Sequence, residues 1–240
     1  MGRMSSTPGW SLDEVASAGR ENLDAAHVAR YDGKEDAGAA AEVALLAELG
    51  LTGDSVVVDV GAGTGQFTVA VAPACRRVVA VDVSPPMLRA LRSRVADLGL
   101  ANVEVVRAGF LSYEHAGEPA DVVYSRYALH HLPDFWKAVA LARLRRVLRP
   151  GGVLRLSDVV FDFDPADAGD RIEAWCATGV AGGTDVERGW SRAELEEHVR
   201  DEFSTFTWLL EPMIERAGFR IEAAQRSGDG IFADYVLRVP

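Results

Sequence analysis

A glycine-rich turn between a buried strand and a helix constrains this chain more than any other feature. Residues 56–60, Val-Val-Val-Asp-Val, are apolar apart from Asp59, and Gly61-Ala62-Gly63-Thr64-Gly65 follow at once. Gln66, Phe67 and Val69 then open a helix. A strand without polar alternation is covered on both faces, which happens where helices pack on each side of a parallel sheet. Glycines at its carboxyl end let the backbone turn sharply and let a ligand approach without meeting a Cβ. In an open α/β sheet that end is where nucleotides bind.

The same alternation recurs downstream. Apolar runs at 78–82, 103–107, 121–125 and 152–158 read as strands two to five, separated by amphipathic helices. Ser84 caps a helix opened by Pro85 and Pro86, with Met87, Leu91, Val95 and Leu98 on one face and Gly99 as its stop. Asp134 caps the next, and Pro150-Gly151-Gly152 ends it. Two final runs, 219–225 and 231–239, are joined by Gly228-Asp229-Gly230 and read as a hairpin. The expected fold is therefore α/β: a doubly wound, seven-stranded, mostly parallel sheet closed by a C-terminal antiparallel hairpin. To it are added a helical N-terminal arm (1–50), loose over its first 20 residues, and a helical lid insertion (160–207). The core spans 51–159, and 208–240 complete it, so the whole is one structural domain.

Composition narrows the class. With 240 residues, 48% of them hydrophobic, the chain can bury a full core without staples. The two cysteines, Cys75 and Cys176, form no CxxC pair, so no zinc cluster of that kind and no disulfide framework is expected. Asp and Glu total 36 against 25 Lys and Arg, a net charge of -11, which argues against a nucleic-acid partner and an anionic membrane surface. The apolar runs are strand-sized rather than membrane-spanning. A cytoplasmic protein follows, and a homodimer is compatible with it.

The glycine spacing is GxGxG, with Phe67 after Gln66, whereas dinucleotide fingerprints run GxGxxG. Together with Val81-Asp82-Val83-Ser84-Pro85-Pro86-Met87-Leu88, Leu129-His130-His131-Leu132-Pro133-Asp134, Leu148-Arg149-Pro150-Gly151-Gly152 and Glu215-Arg216-Ala217-Gly218-Phe219, the sequence resembles the class I S-adenosylmethionine-dependent methyltransferases. The resemblance covers 50–158 with good motifs and the C-terminal segment more loosely. It implies that Gly61, Gly63 and Gly65 cradle the methionine part of S-adenosylmethionine, supported by Asp59. Asp82 then binds the ribose, with Val83 and Met87 beside the adenine. Such proteins usually carry an acid after strand three; this chain has Ala108-Gly109-Phe110 there, so the Gly109 backbone and the Phe110 ring are expected at the adenine instead. Ser125 and Arg126 face the methionine tail, and Tyr31 either covers the cofactor or simply packs.

Methyl transfer from a sulfonium mainly requires alignment and exclusion of water, with a base needed only for a protonated acceptor. His130 and His131, after strand four, are the candidates for base or acceptor anchor, with His130 the first choice. Without a recognisable Asp/Asp/Asn constellation, no metal is expected. Trp175, Trp190, Phe203, Phe206 and Trp208 are candidate walls of the acceptor pocket. A small-molecule acceptor in bacterial specialised metabolism, methylated on O, N or C, is the leading expectation. The alternatives are a protein or tRNA acceptor, or a non-catalytic cofactor-binding regulator.

Overall fold

The apolar runs do pair as a parallel sheet. In the computed structural model, which describes residues 8–34, 37–179 and 189–240, β1 (Val56–Val60) lies at the centre, wholly buried. It pairs with β2 (Arg77–Asp82) on one side and β4 (Ala120–Arg126) on the other, Val57 standing opposite both Val78 and Val122. β3 (Val103–Arg107) lies outside β2, and β5 (Leu148–Phe161) outside β4. All these pairings are parallel. β8 (Phe232–Arg238) runs antiparallel between β5 and β7 (Arg220–Arg226), giving the order β3-β2-β1-β4-β5-β8-β7. The strand order reverses at the β1–β4 boundary, which opens a crevice beyond the carboxyl ends of β1 and β4.

Alternate residues of β1 feed opposite layers. Val58 and Val60 join Leu154, Leu156 and Tyr235 under α7 (Asp134–Val147) and α10 (Thr207–Arg216). Val57 joins Phe67, Val78 and Leu46 under α4 (Ala39–Glu48) and α5 (Gln66–Val71). Between β2 and β3 runs α6 (Pro85–Asp97), whose N-cap Ser84 Oγ accepts the Met87 N–H as its sequence promised. Two helix details differ. Leu98 is 58% exposed because α6 ends before it can turn inward. Asp134 is the first residue of α7 rather than its cap, and its carboxylate receives the Lys137 ammonium at 2.9 Å.

The N-terminal arm is less regular than its alanine-rich composition suggests, and less loose. Its first part is three single turns, α1 (Arg20–Leu23), α2 (Ala25–Val28) and α3 (Tyr31–Lys34), ahead of α4. Further upstream, Glu14 and Ala18 are packed against the sheet's carboxyl edge. The lid comprises α8 (Ala168–Cys176) and α9 (Arg192–Asp201), the latter opened by a full capping box between Ser191 and Glu194. The glycine-rich run expected at 179–189 lies mostly outside the described residues. β5 extends past the sheet to pair Val160 and Phe161 with β6 (Thr205–Phe206). A separate cluster of Val159, Phe161, Trp175, Cys176, Leu195 and Ile231 ties the lid to this extension. Among the described residues no helix is long and apolar enough to cross a membrane.

Candidate cofactor and acceptor site

At the carboxyl end of β1 the chain makes three left-handed turns, Gly61, Gly63 and Gly65 having φ of +78°, +53° and +88°. L side chains avoid that region, so glycine is the residue that fits. A Cβ on Gly63 would find only Met87 Sδ, 4.0 Å away, so bare backbone faces an open slot. Gly65 differs: a Cβ there would lie 2.1 Å from Leu91 Cδ1, so this glycine lets α5 pack on α6 rather than lining the slot.

Asp82, at the end of β2, is pinned from both sides. Its Oδ2 accepts the Gly63 N–H at 2.8 Å and its Oδ1 the Ser84 N–H at 2.7 Å. Burial pushes its pKa up, against the pull of those hydrogen bonds. Each oxygen keeps a second lone pair for a ribose hydroxyl. Asp59 lies deeper, lining a small pocket over the glycine turn with Gly61, Gly63 and Arg126 rather than the Asp82 end of the slot. Burial raises it to about 7 although Thr68 Oγ1 donates to its carboxylate at 2.5 Å. Tyr31, Val83, Met87, Gly109, Phe110 and Arg126 all line the slot, whereas Ser125 is fully buried in β4 away from it.

The carboxylate missing after β3 is supplied from elsewhere. Glu14, on the N-terminal arm, accepts the Leu111 N–H at 2.8 Å through Oε1 and the Ser112 hydroxyl at 2.6 Å through Oε2. It lines the slot, and a Cβ on Gly109 would sit 2.3 Å from its Oε1. Glycine at 109 is what makes room for an acid arriving from 95 residues upstream in the chain (109 − 14). These groups fit a nucleoside cofactor: a paired carboxylate at the ribose position, a second beside Gly109 and Phe110, and an unobstructed glycine backbone.

Beside the slot opens a cavity of about 860 Å³. The two share Asn22, Tyr31, Tyr127 and His131 as lining. Tyr127, directly after β4, has φ +49°, a left-handed conformation costing about 1–2 kcal/mol for a non-glycine residue. It had no signal in the sequence. Trp175 and Trp190 wall the cavity as expected, but Phe203 and Trp208 are 44% and 57% exposed, and Phe206 packs on Phe161 and Phe163. An ion pair joins Lys34 of the arm to Glu194 of the lid beside the cavity, the Lys34 ammonium also lying 5.1 Å from the centre of the Trp190 ring.

His130 and His131 border this cavity in opposite electrostatic states. His130 Nδ1 lies 2.5 Å from Asp158 Oδ1, and Nε2 lies 3.1 Å from Glu202 Oε2. Burial disfavours its charge, but the two carboxylates outweigh burial and raise it to about 10. His131 is pushed down to about 3, by burial first and then by the neighbouring His130 charge. Geometry also separates them: His131 borders slot and cavity alike, whereas His130 borders the cavity alone. Nothing in the sequence singles out Asp158 or Glu202, and His198, like His27 and His115, stands there without a motif, although His198 and Glu202 are four residues apart at the end of a helix.

The match to known proteins is consistent with this architecture. Residues 57–152 match a family described as a methyltransferase domain. An uncharacterised methyltransferase of a Geobacillus species (strain WCH70) is 32% identical over 173 residues, covering 72% of this chain and 73% of that protein. A solved S-adenosylmethionine-dependent methyltransferase from Aquifex aeolicus superposes with a TM-score of 0.59 at 21% identity, covering 90% of this chain and 99% of that one. The [4+2]-cyclase SpnF superposes with a TM-score of 0.62 at 17% identity, covering 84% and 81%. The sheet order, the GxGxG turn, the Asp82 anchor and these relatives agree: the chain belongs to the class I S-adenosylmethionine-dependent methyltransferases.

Proposed function

We propose that the protein transfers the methyl group of S-adenosylmethionine to a small-molecule acceptor held in the large cavity, on an oxygen, nitrogen or carbon atom, in the cytoplasm and as part of specialised metabolism. The observation that carries this reading is the shared wall: Asn22, Tyr31, Tyr127 and His131 border both the cofactor slot and an adjoining chamber. The cofactor, when bound, supplies an activated methyl group on a sulfonium. Asp82 and Glu14 hold its nucleoside end, the Gly61–Gly65 backbone admits its methionine part, and Arg126 borders the same slot. Tyr31 and the arm close over it and exclude water. His131, neutral at physiological pH, anchors the acceptor at the boundary between the two spaces.

The charge of the chamber supports a neutral or cationic acceptor. Glu21, Asp24, Glu194, Glu197, Glu202 and Asp229 line it. Burial and the nearby Glu202 and Glu197 raise Glu21 to about 7, so the chamber already resists further negative charge. A polyanionic acceptor such as tRNA would meet this field unfavourably.

Calorimetry with S-adenosylmethionine, followed by detection of S-adenosylhomocysteine across a panel of small hydroxylated, aminated and enolisable metabolites, tests the reading. Tight cofactor binding with turnover on a small acceptor is the expected result. Methyl incorporation into tRNA or protein alone would overturn the acceptor class. Binding without turnover on any acceptor would favour a regulator.

A further inference from the structure

At the floor of the cavity three side chains converge with the makings of a metal centre. We propose that His130 Nε2, His131 Nδ1 and the Glu202 carboxylate bind a divalent first-row transition ion, Zn²⁺ or Fe²⁺ in type. The three donor atoms lie within 4.8 Å of one another. Glu202 Oε2 is 3.1 Å from His130 Nε2, and Glu202 Oε1 is 3.9 Å from His131 Nδ1. Donors held about 2.0–2.2 Å from one ion stand roughly 3–3.5 Å apart, so closing the triad on an ion asks for a shift of up to about 1–2 Å, within reach of a His131 ring rotation.

Two observations point to an ion rather than to a self-contained hydrogen-bond network. First, His131 Nδ1 is a buried polar atom with no hydrogen-bond partner, with Glu202 Oε1 3.9 Å away. An orphaned buried nitrogen is costly, and this one stands beside a carboxylate and a second histidine. Second, the outer contacts orient the donors as metal ligands are oriented. Asp158 holds His130 by Nδ1 at 2.5 Å and by its backbone N–H at 3.1 Å, which turns Nε2 inward. His198 Nδ1 lies 2.5 Å from Glu202, and Ser204 Oγ fixes the far side of the His198 ring at 2.8 Å. Carboxylate-to-histidine support of this kind fixes ring orientation and raises ligand basicity.

Charge fits as well. Asp158 and Glu202 together carry two negative charges in a buried site, and a divalent ion that displaces the His130 proton balances them. Ligation through His131 Nδ1 puts that ring's proton on Nε2, 3.3 Å from the Asn22 amide, which must turn its oxygen toward the ring. Two histidines and one carboxylate on one side leave the other positions open, and all three residues line the acceptor cavity. An oxygen or nitrogen donor of the acceptor would occupy an open position. The expectation of no metal rested on an Asp/Asp/Asn pattern and on neighbouring Cys and His; this triad instead joins residues 130 and 131 to residue 202.

The test uses the full-length protein stripped with a chelator and titrated with Co²⁺ as a spectroscopic probe. One Co²⁺ per chain is expected, with visible ligand-field absorption that Zn²⁺ abolishes. Glu202→Gln and His131→Gln should each weaken Co²⁺ binding about 100-fold, and His198→Gln, which only orients Glu202, about 10-fold. Zn²⁺ should also raise the wild-type melting temperature and protect His130 and His131, but not His115, from diethylpyrocarbonate; this arm needs no variant to fold. Absence of stoichiometric uptake, uptake that survives both ligand substitutions, or unprotected His130 and His131 would each overturn the site. Calorimetry with S-adenosylmethionine on the same stripped protein separates outcomes: cofactor binding without ion binding rejects the metal centre alone.

Discussion

The two halves of the site are built from different materials. The cofactor slot is made largely of backbone: left-handed glycines, strand ends and the N–H groups that pin Asp82. The acceptor cavity is made of side chains carried by the arm, the lid and the segment after β4. Backbone construction is local, because a strand, a turn and a helix start must follow one another within a dozen residues. Side-chain construction has no such rule, and the cavity joins Glu21, His131, Trp175 and Glu202 across most of the chain.

Four perturbations would break or sharpen that contrast. The largest effect is expected in the side-chain half. Trp175 is buried in the lid's own apolar cluster, so Trp175→Ala should destabilise the protein by about 3–5 kcal/mol in urea unfolding. A loss below about 1 kcal/mol would mean that the lid contributes little to the folded core. In the backbone half, Asp82→Ala removes the acceptor that pins Gly63 and Ser84 and the ribose partner with it. Cofactor affinity should fall by about 2–3 kcal/mol, or roughly 30- to 150-fold by calorimetry, with the fold retained.

Asp59 connects the slot to stability. Its folded-state pKa of about 7 stands above the usual 3.8, so the folded protein holds a proton that the unfolded chain releases. The resulting stabilisation is complete below about pH 4 and is lost as pH rises toward 7, leaving a buried carboxylate above that. Asp59→Asn should remove this slope, making the variant less sensitive than wild type between pH 4 and 7 by about 1–3 kcal/mol in denaturant titrations. An unchanged slope would place the proton elsewhere. The smallest effect belongs to Glu14→Gln, which keeps the shape but weakens the charge-assisted bonds to Leu111 and Ser112. About a 5-fold loss of S-adenosylmethionine affinity is expected, near 1 kcal/mol. Full retention would show that the arm acid merely packs.

What the sequence made legible follows the same division. The parallel strand runs, the closing hairpin, the Ser84 cap and the strand-end positions of Asp82 and Gly63 were all readable, because each has a short-range physical signature. Gly65 was readable as a glycine that the turn requires, but not as a packing contact with Leu91, since that depends on how α6 lies. The gap at Gly109 was visible; its filling by Glu14 was not, because nothing in the arm's composition fixes which turn meets β3. His130 and His131 stood out as a pair, yet their opposite charge states come from Asp158 and Glu202, and the second of these arrives on the lid. Trp208 and Phe203 read as pocket walls and turned outward, since hydrophobicity alone does not say which way a side chain faces.

The clasp between Lys34 and Glu194 has an evolutionary consequence. Arm and lid are fastened to each other above the chamber, and both partners, with Trp190 beside them, lie outside the 57–152 segment that marks the family. Substitutions that reshape the roof therefore leave the cofactor blocks untouched. Exchanging one of the two peripheral segments without the other would strand a buried ammonium or a carboxylate without its counter-charge, so the two must change in concert.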